Sequence, residues 1–189
     1  EQFIPSKTQK EVIFDLWNNG TTGGGDYGRL TIEVDGEATA SPFRITAQSG
    51  STPTGIIEQT IGTTPTIASL ASWNHYALSF QNSGSNFVTK LFVNGYLDDT
   101  QTTAATTIGD ITLNSMTGRI GALITSPTST SASAGSGKLN ASIDEFRFWK
   151  VARDSKHIVE NWFSQVGGGT NTDISNATLG VYYKFNEGI

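Results

Sequence analysis

The sequence predicts an all-β domain, a two-sheet antiparallel jelly-roll sandwich with one short α-helix near residues 154–163. Three observations carry this. Short stretches of alternating apolar and polar residues recur along most of the chain, the mark of strands with one buried face. Clusters of Gly, Pro, Asn, Ser and Thr separate them at short, irregular spacing, which is turn chemistry. Only the stretch after Asp154 has helical spacing, with Ile158, Val159, Trp162 and Phe163 three and four residues apart.

Taken in order, residues 1–9 read as a polar lead-in and 10–189 as a single domain, a module of a longer protein. Glu11 to Trp17 (EVIFDLW) alternates Val12, Phe14 and Leu16 against Ile13, Asp15 and Trp17 and reads as a strand. A Gly-rich loop follows to Gly25. Arg29 to Val34 sets Leu30, Ile32 and Val34 against Arg29, Thr31 and Glu33, a half-buried strand. Asp35-Gly36 is a tight-turn dipeptide, and Phe43 to Ala47 returns from it. Gly55 to Ile61 carries a further strand. Ser72 to Phe80 (SWNHYALSF) places Asn74, Tyr76, Leu78 and Phe80 on one side and Trp73, His75, Ala77 and Ser79 on the other. Phe87 to Val93 and Tyr96 to Thr100 flank Asn94-Gly95, whose residues tolerate the positive φ of a type I′ hairpin turn. Ile108 to Leu113 and Gly118 to Ile124 are expected as strands. Ser126 to Gly137 (SPTSTSASAGSG) is low-complexity and reads as a flexible loop. Ile143 to Trp149 is the next strand, Asp154 the N-cap of the helix, Gly167 to Asn176 a loop, and Gly180 to Phe185 the closing strand.

Bulk properties narrow the function. A chain of 189 residues buries roughly 70% of its unfolded surface, enough for one core without staples. The absence of cysteine excludes disulfides, thiolate metal sites and cysteine nucleophiles. The net charge is -5 and the 12 basic residues are scattered singly, so no positive stripe follows a phosphate backbone and nucleic acid is not expected as a partner. No apolar run reaches the length of a membrane span. Charged residues make up 15%, below the ~25% of an average domain, and hydroxyl and amide groups fill the gap. That surface suits an extracellular, cell-surface or virion protein.

Four elements in order resemble a known family: Trp73-Asn74-His75-Tyr76-Ala77-Leu78, Leu91-Phe92-Val93-Asn94-Gly95, Ile143-Asp144-Glu145-Phe146-Arg147-Phe148-Trp149 with its helix, and Tyr182-Tyr183-Lys184-Phe185-Asn186-Glu187-Gly188. Together they resemble a laminin G-like domain of the concanavalin A-like lectin/glucanase superfamily, over roughly Glu11 to Gly188. The resemblance implies a jelly roll of two antiparallel sheets, and recognition of glycan or protein, adhesion, or a structural spacer role.

The glucanases of this superfamily carry alternating acids on one strand, so that two carboxylates flank the scissile bond. Here the nearest stretch is Ser142-Ile143-Asp144-Glu145-Phe146. The first acid is missing, and on a strand Asp144 and Glu145 would point to opposite faces. No catalytic residue is assigned, and the chain is expected not to be an enzyme. The resemblance also implies one structural Ca²⁺, with Asp144 as a ligand and Asp26 in the Gly-rich loop as a second carboxylate; hard cations take carboxylate and carbonyl oxygens. No other cofactor is expected. Glycan binding needs an exposed aromatic platform, and Tyr27, Trp17, Trp73 and Tyr96 are the candidates. The leading expectation is a non-catalytic, lectin-like adhesion module. The alternative is a structural or protein-interaction domain of a phage virion or large surface protein with no glycan ligand.

Overall fold

A computed structural model describes residues 10–21, 24–51, 54–112, 114–124, 137–166 and 178–186. Its strands are β1 (Glu11–Trp17), β2 (Gly28–Val34), β3 (Phe43–Ser49), β4 (Thr54–Ile61), β5 (Tyr76–Ser83), β6 (Asn86–Val93), β7 (Tyr96–Thr103), β8 (Thr117–Ile120), β9 (Phe146–Trp149) and β10 (Leu179–Tyr183). A 3₁₀ turn covers Ser69–Ala71 and the helix α1 covers Ser155–Asn161. One layer is a five-stranded sheet in the order β4-β3-β2-β1-β8. The facing layer is divided into a three-stranded sheet β5-β6-β7 and a two-stranded sheet β10-β9. Every pairing is antiparallel.

The core follows from the alternation. Phe14, Leu16, Leu30, Val34, Phe43, Ile45 and Ala47 of the five-stranded sheet are buried, and Tyr76, Leu78 and Phe80 of β5 and Phe146 and Phe148 of β9 pack against them. Phe14 lies 5.2 Å from Phe146 and 5.8 Å from Phe148, ring centre to ring centre. Val12 departs from the simple alternation. A bulge between Val12 and Phe14 leaves Val12 opposite Glu33 while Phe14 lies opposite Ile32. An extra residue in one strand reverses the facing of what precedes it, so Val12 joins the outer face.

That outer face is buried too. Asp15, Thr31, Glu33 and Thr46 are fully buried and Arg29 nearly so. The Asp15 carboxylate accepts from Arg29 Nε at 2.9 Å and Nη2 at 2.6 Å, from Thr31 Oγ1 at 3.0 Å, and from the Ile124 amide at 2.8 Å. Every lone-pair direction of this buried acid is served, the condition under which a buried charge is tolerable. Leu123, fully buried, and Gly137, whose carbonyl accepts from the Val12 amide at 2.6 Å, lie over this side. Glu33 differs: neither carboxylate oxygen has a hydrogen-bond partner among the described residues. Burial, only partly offset by the Lys10 charge, raises its pKa from 4.5 to about 7.

Several expected elements change. Ile108 to Leu113 forms no strand among its described residues. Instead Asn82 exchanges hydrogen bonds with both backbone groups of Ile108, Ser49 Oγ accepts from the Gly109 amide, and Asp110 accepts from the Thr112 amide and hydroxyl. Side chains serve the backbone where a ladder was expected. The strand predicted over 118–124 stops at Ile120, where Gly121 takes a φ of +79°. The strand predicted from Ile143 begins only at Phe146, because Glu145 has a φ of +54°. In the helix, Asp154 caps as expected, accepting from the His157 amide at 2.8 Å. The helix face is narrower than its spacing suggests: Ile158 is buried, but Val159 is exposed and Phe163, beyond the last turn, is 72% exposed. The Ser126–Gly137 and Gly167–Asn176 loops lie outside the described residues, apart from Gly137 itself.

Candidate functional site

One end of the sandwich gathers the Ser72–His75 connection, the Asn94-Gly95 turn and α1. Asn94 adopts a φ of +50° and Gly95 +85°, the left-handed pair that a type I′ turn requires. Asn94 ties the end together. Its amide donates to the His75 carbonyl at 2.8 Å, its Oδ1 accepts from the His75 amide at 2.9 Å, and its Nδ2 donates to Asn74 Oδ1 at 2.9 Å. Asn74 Nδ2 in turn donates to the Ser69 carbonyl at 3.0 Å. Trp162 closes on this frame. Its ring lies so near Gly95 that an added Cβ would meet Cδ1 at 2.3 Å, and its centre is 5.7 Å from the His75 ring and 5.7 Å from Phe163.

A cleft of about 1130 Å³ opens beside this frame. Its floor includes Phe14, Leu16 and Leu30 of the five-stranded sheet, and its walls are β5 and β9, the facing edges of the divided layer. Trp73, Asn74, His75, Asp144, Arg147 and Phe163 also line it. His75 is neutral at physiological pH: burial first, and the nearby Arg147 charge second, push its pKa down to about 4. Its Nδ1 is buried without a partner among the described residues.

The predicted site residues separate. Trp73, 67% exposed, sits at the cleft, and Tyr96 is exposed just past the turn. Trp17 is half-buried in β1 with its indole N–H donated to the Gly20 carbonyl at 3.1 Å. Tyr27 is 2% exposed, and a ring enclosed by protein offers no face to a sugar; the loop position that suggested exposure is in fact the buried approach to β2. Phe163 belongs with Trp73 and Tyr96 instead. Its helical spacing assigned it to the core, but α1 ends before its turn is complete.

Among the described residues no three His, Asp or Glu side chains group as metal ligands. Asp144 lines the cleft, with Oδ1 accepting from the Glu145 amide at 2.9 Å. Asp26 lies in the loop between β1 and β2, where its carboxylate accepts from Asn114 Nδ2. Calcium takes roughly six to eight oxygens at one centre, carbonyls and waters among them; Asp144 and Asp26 are the carboxylates such a site would use. Glu145 Oε2 accepts from Tyr182 Oη at 2.5 Å and Arg147 Nη2 at 2.9 Å. Burial acts to raise its pKa, yet these hydrogen bonds and the Arg147 charge hold it below the usual value. A carboxyl held ionised makes a poor general acid at neutral pH.

No helix among the described residues is long and apolar enough to cross a membrane. Searches of curated proteins and of solved structures gave no match. A laminin G-type family model, described as the concanavalin A-like lectin/glucanases superfamily, matches residues 4–159. With most of the chain matched and an antiparallel β sandwich beneath it, the protein belongs to the concanavalin A-like lectin/glucanases superfamily as a laminin G-like domain.

Proposed function

We propose that this domain is a non-catalytic, lectin-like recognition module that binds glycan at the aromatic end of the sandwich, on a secreted, cell-surface or virion protein. The observation that carries the reading is Trp73, an exposed indole at the mouth of a cleft and next to a fixed amide frame. Apolar sugar faces stack on such rings, and amide and carboxylate groups bond the hydroxyls; binding sites pair an apolar surface with a few placed polar groups. Tyr96 and Phe163 widen the platform. The rigid turn holds it in place before ligand arrives, which lowers the ordering cost of binding.

The test is a glycan array followed by titration of any hit. Trp73→Ala is expected to weaken binding at least tenfold while the melting temperature stays within a few degrees, because the side chain is mostly in water. An array blank at millimolar sensitivity overturns the reading. The second reading, a protein-interaction domain, is favoured by the exposed apolar residues of β10.

A further inference from the structure

The layer that faces the five-stranded sheet is interrupted. β5 pairs with β6 alone and β9 with β10 alone. Among the described residues no backbone group bonds to the remaining edge of either strand. The chain around both strands, 54–112 and 137–166, is described throughout apart from the side-chain surroundings of residue 54. Between the two edges lies the cleft, floored by Phe14, Leu16 and Leu30. Leu78, Phe80, Phe146 and Phe148 pack toward the core beside it, yet each is only partly buried. Protein interiors are close-packed and hold few voids larger than a water molecule. An apolar trough between two unpaired strand edges suits an occupant that is apolar on one side and carries backbone N–H and C=O groups on both flanks. An extended chain has both properties.

The strand register shows where such a chain enters. Glu11 stands opposite Val34, and Val34 opposite Phe43. The Phe43 ring lies 5.0 Å from that of Tyr76, the first residue of β5. β1 and β5 therefore begin at the same end of the sandwich, one in each layer. Residues 1–9 lead into that end and lie outside the described residues. They hold Phe3 and Ile4, the only adjacent pair of large apolar residues outside the described ones.

We propose that residues 1–4 insert between β5 and β9 as a further strand and join the facing layer into one sheet. Residues 5–9 then cross from one layer to the other. Five residues reach roughly 17 Å when extended, against about 10 Å between packed sheets. Pro5 has no N–H to give to a ladder, and it falls where the inserted strand ends. Four residues also match the length of β9, Phe146–Trp149. Traced back from Lys10, the chain enters the cleft at the end where β5 starts, so it runs antiparallel to β5, as every other pair of the sandwich does. Successive strand residues face opposite sides, so one of Phe3 and Ile4 enters the trough. Trp73, 67% exposed, stays at the mouth, and the glycan reading stands apart from this one.

Nuclear magnetic resonance of the intact, isotope-labelled chain tests the insertion. Nuclear Overhauser contacts are expected from the Phe3 ring or the Ile4 methyls to Leu78 or Phe148. The amides of β5 and β9 that do not bond to β6 or β10 are expected to exchange with solvent about tenfold or more slowly in the intact chain than in the double variant Phe3→Asp, Ile4→Asp. Lys7→Asp, in the crossing, is expected to leave that exchange unchanged. Near-ultraviolet circular dichroism checks that each variant is folded, and the contacts in the intact chain require no variant. Fast exchange of these amides in the intact chain, with no contact from Phe3 or Ile4, overturns the proposal and leaves the cleft open. Slow exchange that is equal in the intact chain and the double variant overturns it by giving the cleft to a different segment. A blank glycan array alters neither outcome.

Discussion

Replacing Glu33 by Gln isolates the cost of a buried, unpartnered carboxylate. Glu33 is fully buried and neither oxygen is hydrogen-bonded among the described residues, and its pKa rises from 4.5 to about 7 because burial disfavours the ionised form. The native state therefore holds this proton more tightly than the unfolded chain. Stability from the protonated form is complete below about pH 4.5 and is lost as pH rises through about 7. At about 1.4 kcal/mol for each tenfold change in proton affinity, the loss comes to about 3 kcal/mol. Gln keeps the shape and never ionises. Urea denaturation of both proteins, at about pH 4.5 and again at about pH 8.5, gives the stability difference at each pH. That difference is expected to move in favour of Glu33→Gln by about 3 kcal/mol at the higher pH. For a domain of this size the shift in melting temperature is roughly 6–12 °C. All other titrating groups cancel between the two proteins. A stability difference that is the same at both pH values would refute the reasoning, because it would mean that Glu33 ionises normally and is either hydrated or paired.

Asp15→Ala is expected to cost about 3–5 kcal/mol, since it removes the carboxylate that faces the buried Arg29 charge; replacing both residues by apolar ones of similar volume recovers most of this, and urea midpoints of the single and double variants check it. Gly95→Ala combines a φ of +85° with a Cβ placed against Trp162, and is expected to cost about 2–4 kcal/mol and to shift the tryptophan fluorescence of the folded protein. An unshifted spectrum with full stability would show that Trp162 does not seal the turn.

Much of the architecture was legible because it rests on period-two alternation and on turn residues. The Asn94-Gly95 hairpin, the strands β1 to β4 and the Asp154 cap all follow from local chemistry that the fold leaves intact. Where local chemistry met tertiary competition, the reading failed. Ile108 and Ile111 bring apolar side chains to the core, which looks like a strand, but Asn82, Ser49 and Asp110 take up the backbone groups. Val12 reads as a core residue until one bulge turns it outward. Of the candidate aromatics, Trp73 and Tyr96 reach solvent, whereas Tyr27 is enclosed. Exposure depends on which segments cross above a residue, and alternation carries no record of that. The same limit hid Phe163, whose spacing fits a helix one turn longer than the one that forms.

The Asp15–Arg29–Thr31 network has a consequence beyond stability. A sandwich usually offers three kinds of terrain to a ligand: the broad backs of its sheets, its strand edges and its loop-bearing ends. Here one broad back is sealed, and the buried Asp15 spends its bonding capacity on Arg29, Thr31 and the Ile124 amide. Sequence change there is constrained by charge compensation, so it is poor ground on which to evolve a new contact. That leaves variation to the periphery, where the amide-framed aromatic end can change without exposing a buried ion.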